Sequence, residues 1–80
     1  MRLDKFLKVS RIIKRRTIAN EACDAGRVFV NGKTARASYD VKVNDVIEIS
    51  FGTRVFKAQV TNVAEVIKKD DAGTLYKIIE

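Results

Sequence analysis

Residues Lys14 to Gly32 read KRRTIANEACDAGRVFVNG, and the change of rhythm inside this stretch decides the fold. Three consecutive cations open it, a helix-length run without Gly or Pro follows, Gly26 interrupts, and a short alternating pattern ends in Asn31-Gly32. Ile18/Ala22 and Ala19/Cys23 are i, i+4 pairs, so the run predicts a helix with a narrow stripe of small residues that lets another element approach closely. Gly26 suits the position just past a helix C-terminus, where a left-handed residue ends the run. From Arg27 the period is two, with Val28 and Val30 on one face and Arg27 and Phe29 on the other. Asn31-Gly32 then predicts a type I′ hairpin, because both residues accept the positive φ that turn needs. The helix starts either at Thr17, whose hydroxyl can accept from the backbone N–H of Asn20, or earlier, with Lys14, Arg15 and Arg16 in its first turn. In the second case the cations reinforce the positive end of the helix dipole, which costs stability until an anion arrives; phosphate suits both helix N-termini and guanidinium forks.

Outward from this stretch, the N-terminal side places Leu3, Phe6 and Leu7 at i, i+3, i+4, a first short helix with Asp4 favourably in its first turn. Its break is expected near Ile13. On the C-terminal side, a return strand over Lys33–Ala37 adds Lys33 and Arg36 to a hairpin that is basic at its tip. Val41 and Val43 precede an Asn44-Asp45 turn; Ile47, Ile49 and Phe51 alternate on one face of the next strand, and Gly52-Thr53 fits a II′ loop. Phe56, Ala58 and Val60 alternate on the following strand, Lys68–Gly73 reads as a polar loop or single helical turn, and Leu75–Ile79 as a final strand. The expected fold class is α+β, two short N-terminal helices packed on a small, mostly antiparallel sheet. Residues 1–80 are expected to form a single domain.

Charge divides the chain. Residues 1–37 hold ten Lys/Arg against three acids, residues 38–80 six against seven, so the whole net charge of +6 comes from the first half. That half reads as a polyanion-binding face and the other as scaffold. With no His and one Cys, the chain has neither a conventional zinc site nor an intrachain disulfide, and no cofactor is expected. Cys23 falls in the small-residue stripe, where a buried thiol behaves as a small hydrophobe. No apolar run reaches the ~20 residues of a membrane span, and the N-terminus lacks a signal-peptide core, so a reducing cytoplasm fits and no membrane partner is expected. Catalysis needs a positioned nucleophile, base or metal, and the scattered acids supply none, so an enzyme is not expected.

The joint pattern RLDKFL, then KRRTIANEA, then GRVFVNG, then SYDVKVNDVIEI resembles the S4-type RNA-binding domain over about residues 1–51. The resemblance implies the two-helix, hairpin-bearing motif of that family with a basic RNA-binding face, the remaining strands lying within 54–80. It implies RNA contacts at Arg2, Lys5, Arg11, Arg15 and Arg16, with Asp4 orienting its basic neighbours; Lys14, Lys33 and Arg36 join the candidate set from the residue pattern. A near-bare domain of this kind is similar to family members of bacterial ribosome-associated quality control and to a heat-shock-induced relative. The partners this implies are rRNA of the obstructed large ribosomal subunit, P-site tRNA, and a partner factor that adds C-terminal alanine tails to stalled chains. Two departures stand out: Lys14-Arg15 occupies the place of a common Ser/Thr cap, and Asn44 replaces a frequent Gly, mildly, since Asn tolerates the left-handed region.

Alternative readings are a general rRNA-binding factor of ribosome assembly or recycling, and a helix-turn-helix-like DNA reader. The latter needs Asn, Gln or Arg along the exposed face of its second helix, and Asn20 and Glu21 make a poor reader. Cations at a helix start and a hairpin instead suit tracking of RNA backbones.

Overall fold

The computed structural model describes residues 1–63 and 75–79, so the expected loop at Lys68–Gly73 lies outside the described residues. Two helices, α1 (Leu3–Val9) and α2 (Arg16–Asp24), precede five strands: β1 (Val28–Val30), β2 (Lys33–Thr34), β3 (Val46–Phe51), β4 (Arg54–Val60) and β5 (Tyr76–Ile78). All neighbours in the sheet are antiparallel, in the order β2-β1-β3-β4-β5. The architecture is the α+β arrangement that the hydrophobic periods predict.

Burial follows those periods. Leu3, Phe6 and Leu7 of α1 are fully buried, as are Val28 and Ile49 of the sheet, which meet directly across the β1–β3 register. Ile47, Ala58, Val60 and Leu75 extend this core along the sheet. From α2 the core takes Ala19 and Cys23, while Ile18 stays 46 % exposed. Ala22 is half-buried against this core, so of the two pairs only Ile18 is left exposed.

The turns obey backbone sterics. Asn31 (φ 54°) and Gly32 (φ 85°) make the two left-handed residues of the predicted I′ hairpin, with Val30 opposite Lys33. Gly26 (φ 73°) ends α2 as expected. Helix α1 stops earlier than Ile13: Ser10 is its C-cap, Arg11 takes the left-handed conformation (φ 62°), and the Ile13 N–H returns to the Leu7 carbonyl at 3.0 Å. The reversal brings Ile13 back into the core. The return strand is also shorter than Lys33–Ala37. After the Ala35 N–H pairs with the Val28 carbonyl, the chain leaves the sheet and its carbonyls at Ala37 and Tyr39 receive the Asp4 and Leu3 N–H groups at 3.1 and 2.8 Å. A loop thus satisfies the first donors of α1, in place of a side-chain cap.

Candidate nucleic-acid interface

The cap supplied by residues 37–39 determines which cations meet. It docks the segment after β2 onto the start of α1, and Arg36 and Arg2 consequently line one hollow of about 390 Å³ together with Asn20 and Ser38. Helix α2 begins at Arg16, with Arg15 as an N-cap that makes no side-chain cap bond, so Thr17 lies inside the first turn and Lys14 precedes it. No acid stands in that first turn.

Between the two helix starts lies Asp4, 2 % exposed. Its carboxylate accepts from Arg2 Nε at 3.2 Å and Arg2 Nη2 at 3.4 Å, and from Arg16 Nη2 at 3.5 Å, with Arg16 Nε 3.4 Å away. Asn20 Nδ2 donates at 3.3 Å and the Lys5 backbone N–H at 2.8 Å. Burial pushes the Asp4 carboxyl upward, but the hydrogen bonds from Arg2, Asn20, Arg16 and the Lys5 N–H outweigh it and hold it below the ordinary carboxylate value. The acid stays ionised and acts as a fixed anchor. One carboxylate against two guanidiniums leaves the cluster net positive. Both arginine side chains remain about half exposed, 52 % for Arg2 and 48 % for Arg16, so part of each five-donor fork faces solvent. A fixed pair of outward guanidiniums is suited to phosphate oxygens, which accept bidentate donors.

The other candidate cations are spread around this cluster. Lys5 is half-buried on α1, Arg11 sits exposed at the left-handed turn, and Lys14 and Arg15 are exposed on the connection to α2. Lys33 is exposed on β2, paired through the backbone with Val30. The structure brings Arg2, Asp4 and Arg16 into direct contact and Arg36 to the same hollow as Arg2; among the described residues no side-chain hydrogen bond or ion pair ties Arg11, Lys14, Arg15 or Lys33 to them.

Two residues with positioning roles carried little signal in isolation. Asn20, four residues after Arg16, shares its helix face and completes the Asp4 cluster. Asp45, read only as a turn residue, is the second buried carboxylate. It accepts from Asn31 Nδ2 at 3.1 Å, from the Tyr39 hydroxyl at 3.0 Å and from the Lys42 N–H at 3.0 Å. Asn31 in turn accepts from the Val46 N–H at 3.0 Å, so the hairpin tip is tied to the start of β3. Burial first, then the bond to Asp45 and the charges of Asp45 and Asp40, raise the Tyr39 hydroxyl, which remains a donor.

The S4 domain family profile matches residues 1–47, more than half of the chain and the part that carries this cluster. The chain belongs to the S4 domain family. It is 54 % identical over 79 residues to a protein of Streptococcus pneumoniae named RQC P-site tRNA stabilizing factor, covering 99 % of this chain and 90 % of that one. A protein of the same name from Halalkalibacterium halodurans is 53 % identical over 78 residues, covering 98 % and 89 %. The trimeric structure of Vibrio cholerae Heat Shock Protein 15 superposes on this S4 domain with a TM-score of 0.88 at 26 % identity, covering 98 % of this chain and 80 % of that one. Among the described residues no group of three or more His, Cys, Asp or Glu is placed to hold a metal ion, and no helix is long and apolar enough to cross a membrane.

Proposed function

We propose that this S4-domain protein is a non-catalytic RNA-binding factor of ribosome-associated quality control. In this reading it binds obstructed large ribosomal subunits through rRNA and steadies P-site peptidyl-tRNA while a partner factor extends the stalled chain with alanine. The observation that carries the reading is the pair of outward guanidiniums, Arg2 and Arg16, fixed on one buried carboxylate in a chain related over nearly its whole length to proteins named for stabilising P-site tRNA. Arg2, Arg16 and Arg36 form the centre of the RNA-binding face, Asp4 orients the first two, and Lys5, Arg11, Lys14, Arg15 and Lys33 add phosphate contacts around it. Backbone contacts of this kind fix position and shape and need no base-specific reader.

Co-sedimentation with purified large subunits carrying peptidyl-tRNA, against intact ribosomes, tests the reading. The wild type is expected to pellet with the split subunits. Arg2→Ala with Arg16→Ala should weaken that binding by about 1–3 kcal/mol per lost charged contact and lower the yield of alanine-tailed peptides. Lys57→Ala with Lys77→Ala removes equal charge from β4 and β5 and should do far less. Equal losses from the two pairs would reject the site and leave only bulk attraction.

A further inference from the structure

The pair Ile18/Ala22, absent from the fully buried core, opens onto a second hollow. It measures about 490 Å³, lies between α2 and the end of β3, and falls in the range of roughly 300–1,000 Å³ typical of small-ligand sites. Ile12, Ile18, Ala22 and Phe51 line it, and Phe51 is 49 % exposed. Ile49 and Phe51, which the alternation places on one face of β3, both line this hollow; Ile49 is fully buried and Phe51 stays open. Two large apolar side chains are thus left exposed around one concavity.

The polar surroundings select the occupant. Arg27 lines the hollow, and its carbonyl accepts the Ser50 N–H at 2.9 Å, which places Arg27 beside the residue that precedes Phe51. On the other side Ile12 and Ile13 lead directly into exposed Lys14 and Arg15. Cations therefore flank an apolar slot. Glu21 also lines the hollow; its carboxylate disfavours a phosphate there but can accept from the amino group of a base. Aromatic and apolar walls with flanking cations are the composition that receives unstacked bases of single-stranded RNA.

We propose that this hollow receives one unstacked, amino-bearing nucleobase of the bound RNA, stacked on Phe51, with the adjoining phosphates held by Arg27 and by Lys14 or Arg15. This deepens the RNA-binding reading and rests on it: Arg2 and Arg16 hold backbone, and the hollow takes a base that a duplex cannot offer. Glu21 lines both this hollow and the one bounded by Asp4, Arg16 and Asn20, so the two sites adjoin across α2.

The first measurement is an NMR titration of the full chain with adenosine 5′-monophosphate and, separately, ribose 5-phosphate. The nucleotide should shift the methyl signals of Ile12, Ile18 and Ala22 and the ring of Phe51, and the base-free sugar phosphate should not. Equal shifts from both, or none at these residues, overturn the proposal. The second uses an RNA hairpin with an unpaired purine loop and a fully paired duplex of the same length. Phe51→Ala should weaken hairpin binding about tenfold, the scale of one base–aromatic stack, leave duplex binding unchanged, and be rescued by Phe51→Tyr. If the wild type binds both RNAs and Phe51→Ala alters neither, the base site is wrong and the backbone face stands; if it binds neither, the RNA reading itself fails. Concentration-dependent self-association abolished by Phe51→Ala would assign the hollow to a second copy of the chain and overturn the base site.

Discussion

Asp4 and Asp45 are both buried carboxylates ringed by donors, yet they do opposite things. Asp4 gathers two guanidiniums, an amide and one N–H, and its main partners project into solvent with charge to spare. Asp45 gathers an amide, a phenol and a backbone N–H, all neutral, and joins the hairpin tip, the loop of residues 39–42 and β3. The chain continues the tie into β4, where Val60 donates to the Asp45 carbonyl and accepts from the Asn44 N–H, each at 2.8 Å. The difference teaches that a buried acid is defined by what its partners do next. Asp45 uses its bonds to close a scaffold; Asp4 uses them to aim cations outward.

The largest effect expected from this contrast is on stability. Asp45→Ala strips one acceptor from three donors, one of them the Lys42 backbone N–H that closes the turn before β3, and should cost about 3 kcal/mol. For a domain of this size that lowers Tm by about 12–24 °C in a thermal melt followed by circular dichroism. Affinity for large subunits, measured well below the lowered Tm, should stay within about twofold. A variant that melts normally would show that Asp45 closes nothing.

Asp4→Asn should invert the pattern. The fold loses only about 1 kcal/mol, because Arg2 and Arg16 are half exposed and regain water, while RNA affinity falls about tenfold as the guanidiniums lose their fixed geometry. The acid response provides a second readout. Because the folded Asp4 carboxyl titrates below its unfolded value of 3.8, its contribution is complete above that value and is lost as pH falls through the lower folded one. Acid titrations of wild type and variant should therefore differ at neutral pH and converge as pH falls through the lowered folded value. Parallel curves would mean that the Asp4 charge contributes nothing to stability.

The two aspartates also differed in how far the sequence disclosed them. The RLDKFL pattern marked Asp4 and its basic neighbours through the family resemblance, whereas Asn20, whose amide completes the cluster, gained its role only from the packing of α2 against α1. The hairpin was legible because Asn-Gly carries its φ preference locally, as the observed 54° and 85° show. The meeting of Arg36 with Arg2 was not, since it depends on the Ala37 and Tyr39 carbonyls capping α1 from across the chain. The early end of α1 was missed for a related reason: Arg11 gives no local hint of a left-handed conformation, which it adopts so that Ile13 can return to the core. On α2 both i, i+4 pairs had the same period, and only packing distinguished Ala19/Cys23, which the core took whole, from Ile18/Ala22, which lies half against the core with Ile18 exposed on the open hollow.

The smallest expected effect is also the most selective, because Cys23 reports on one of the two acids alone. Its thiol is buried in the α2 stripe and pushed up to about 11, by burial first and then by the charges of Asp4 and Asp24. A raised folded value means that the neutral thiol is favoured, so this contribution to stability is present below the unfolded value of 9.0 and fades as pH rises toward 11. Following thiolate absorbance against pH should place the wild-type midpoint near 11. Asp4→Asn removes one of the two negative charges that raise the thiol and should lower that midpoint. Asp45→Asn should leave it unmoved. Circular dichroism at each pH separates titration from unfolding, and an equal response in the two variants would mean that the Asp4 charge is already neutralised within its cluster, so that the two aspartates differ in their partners but not in their field.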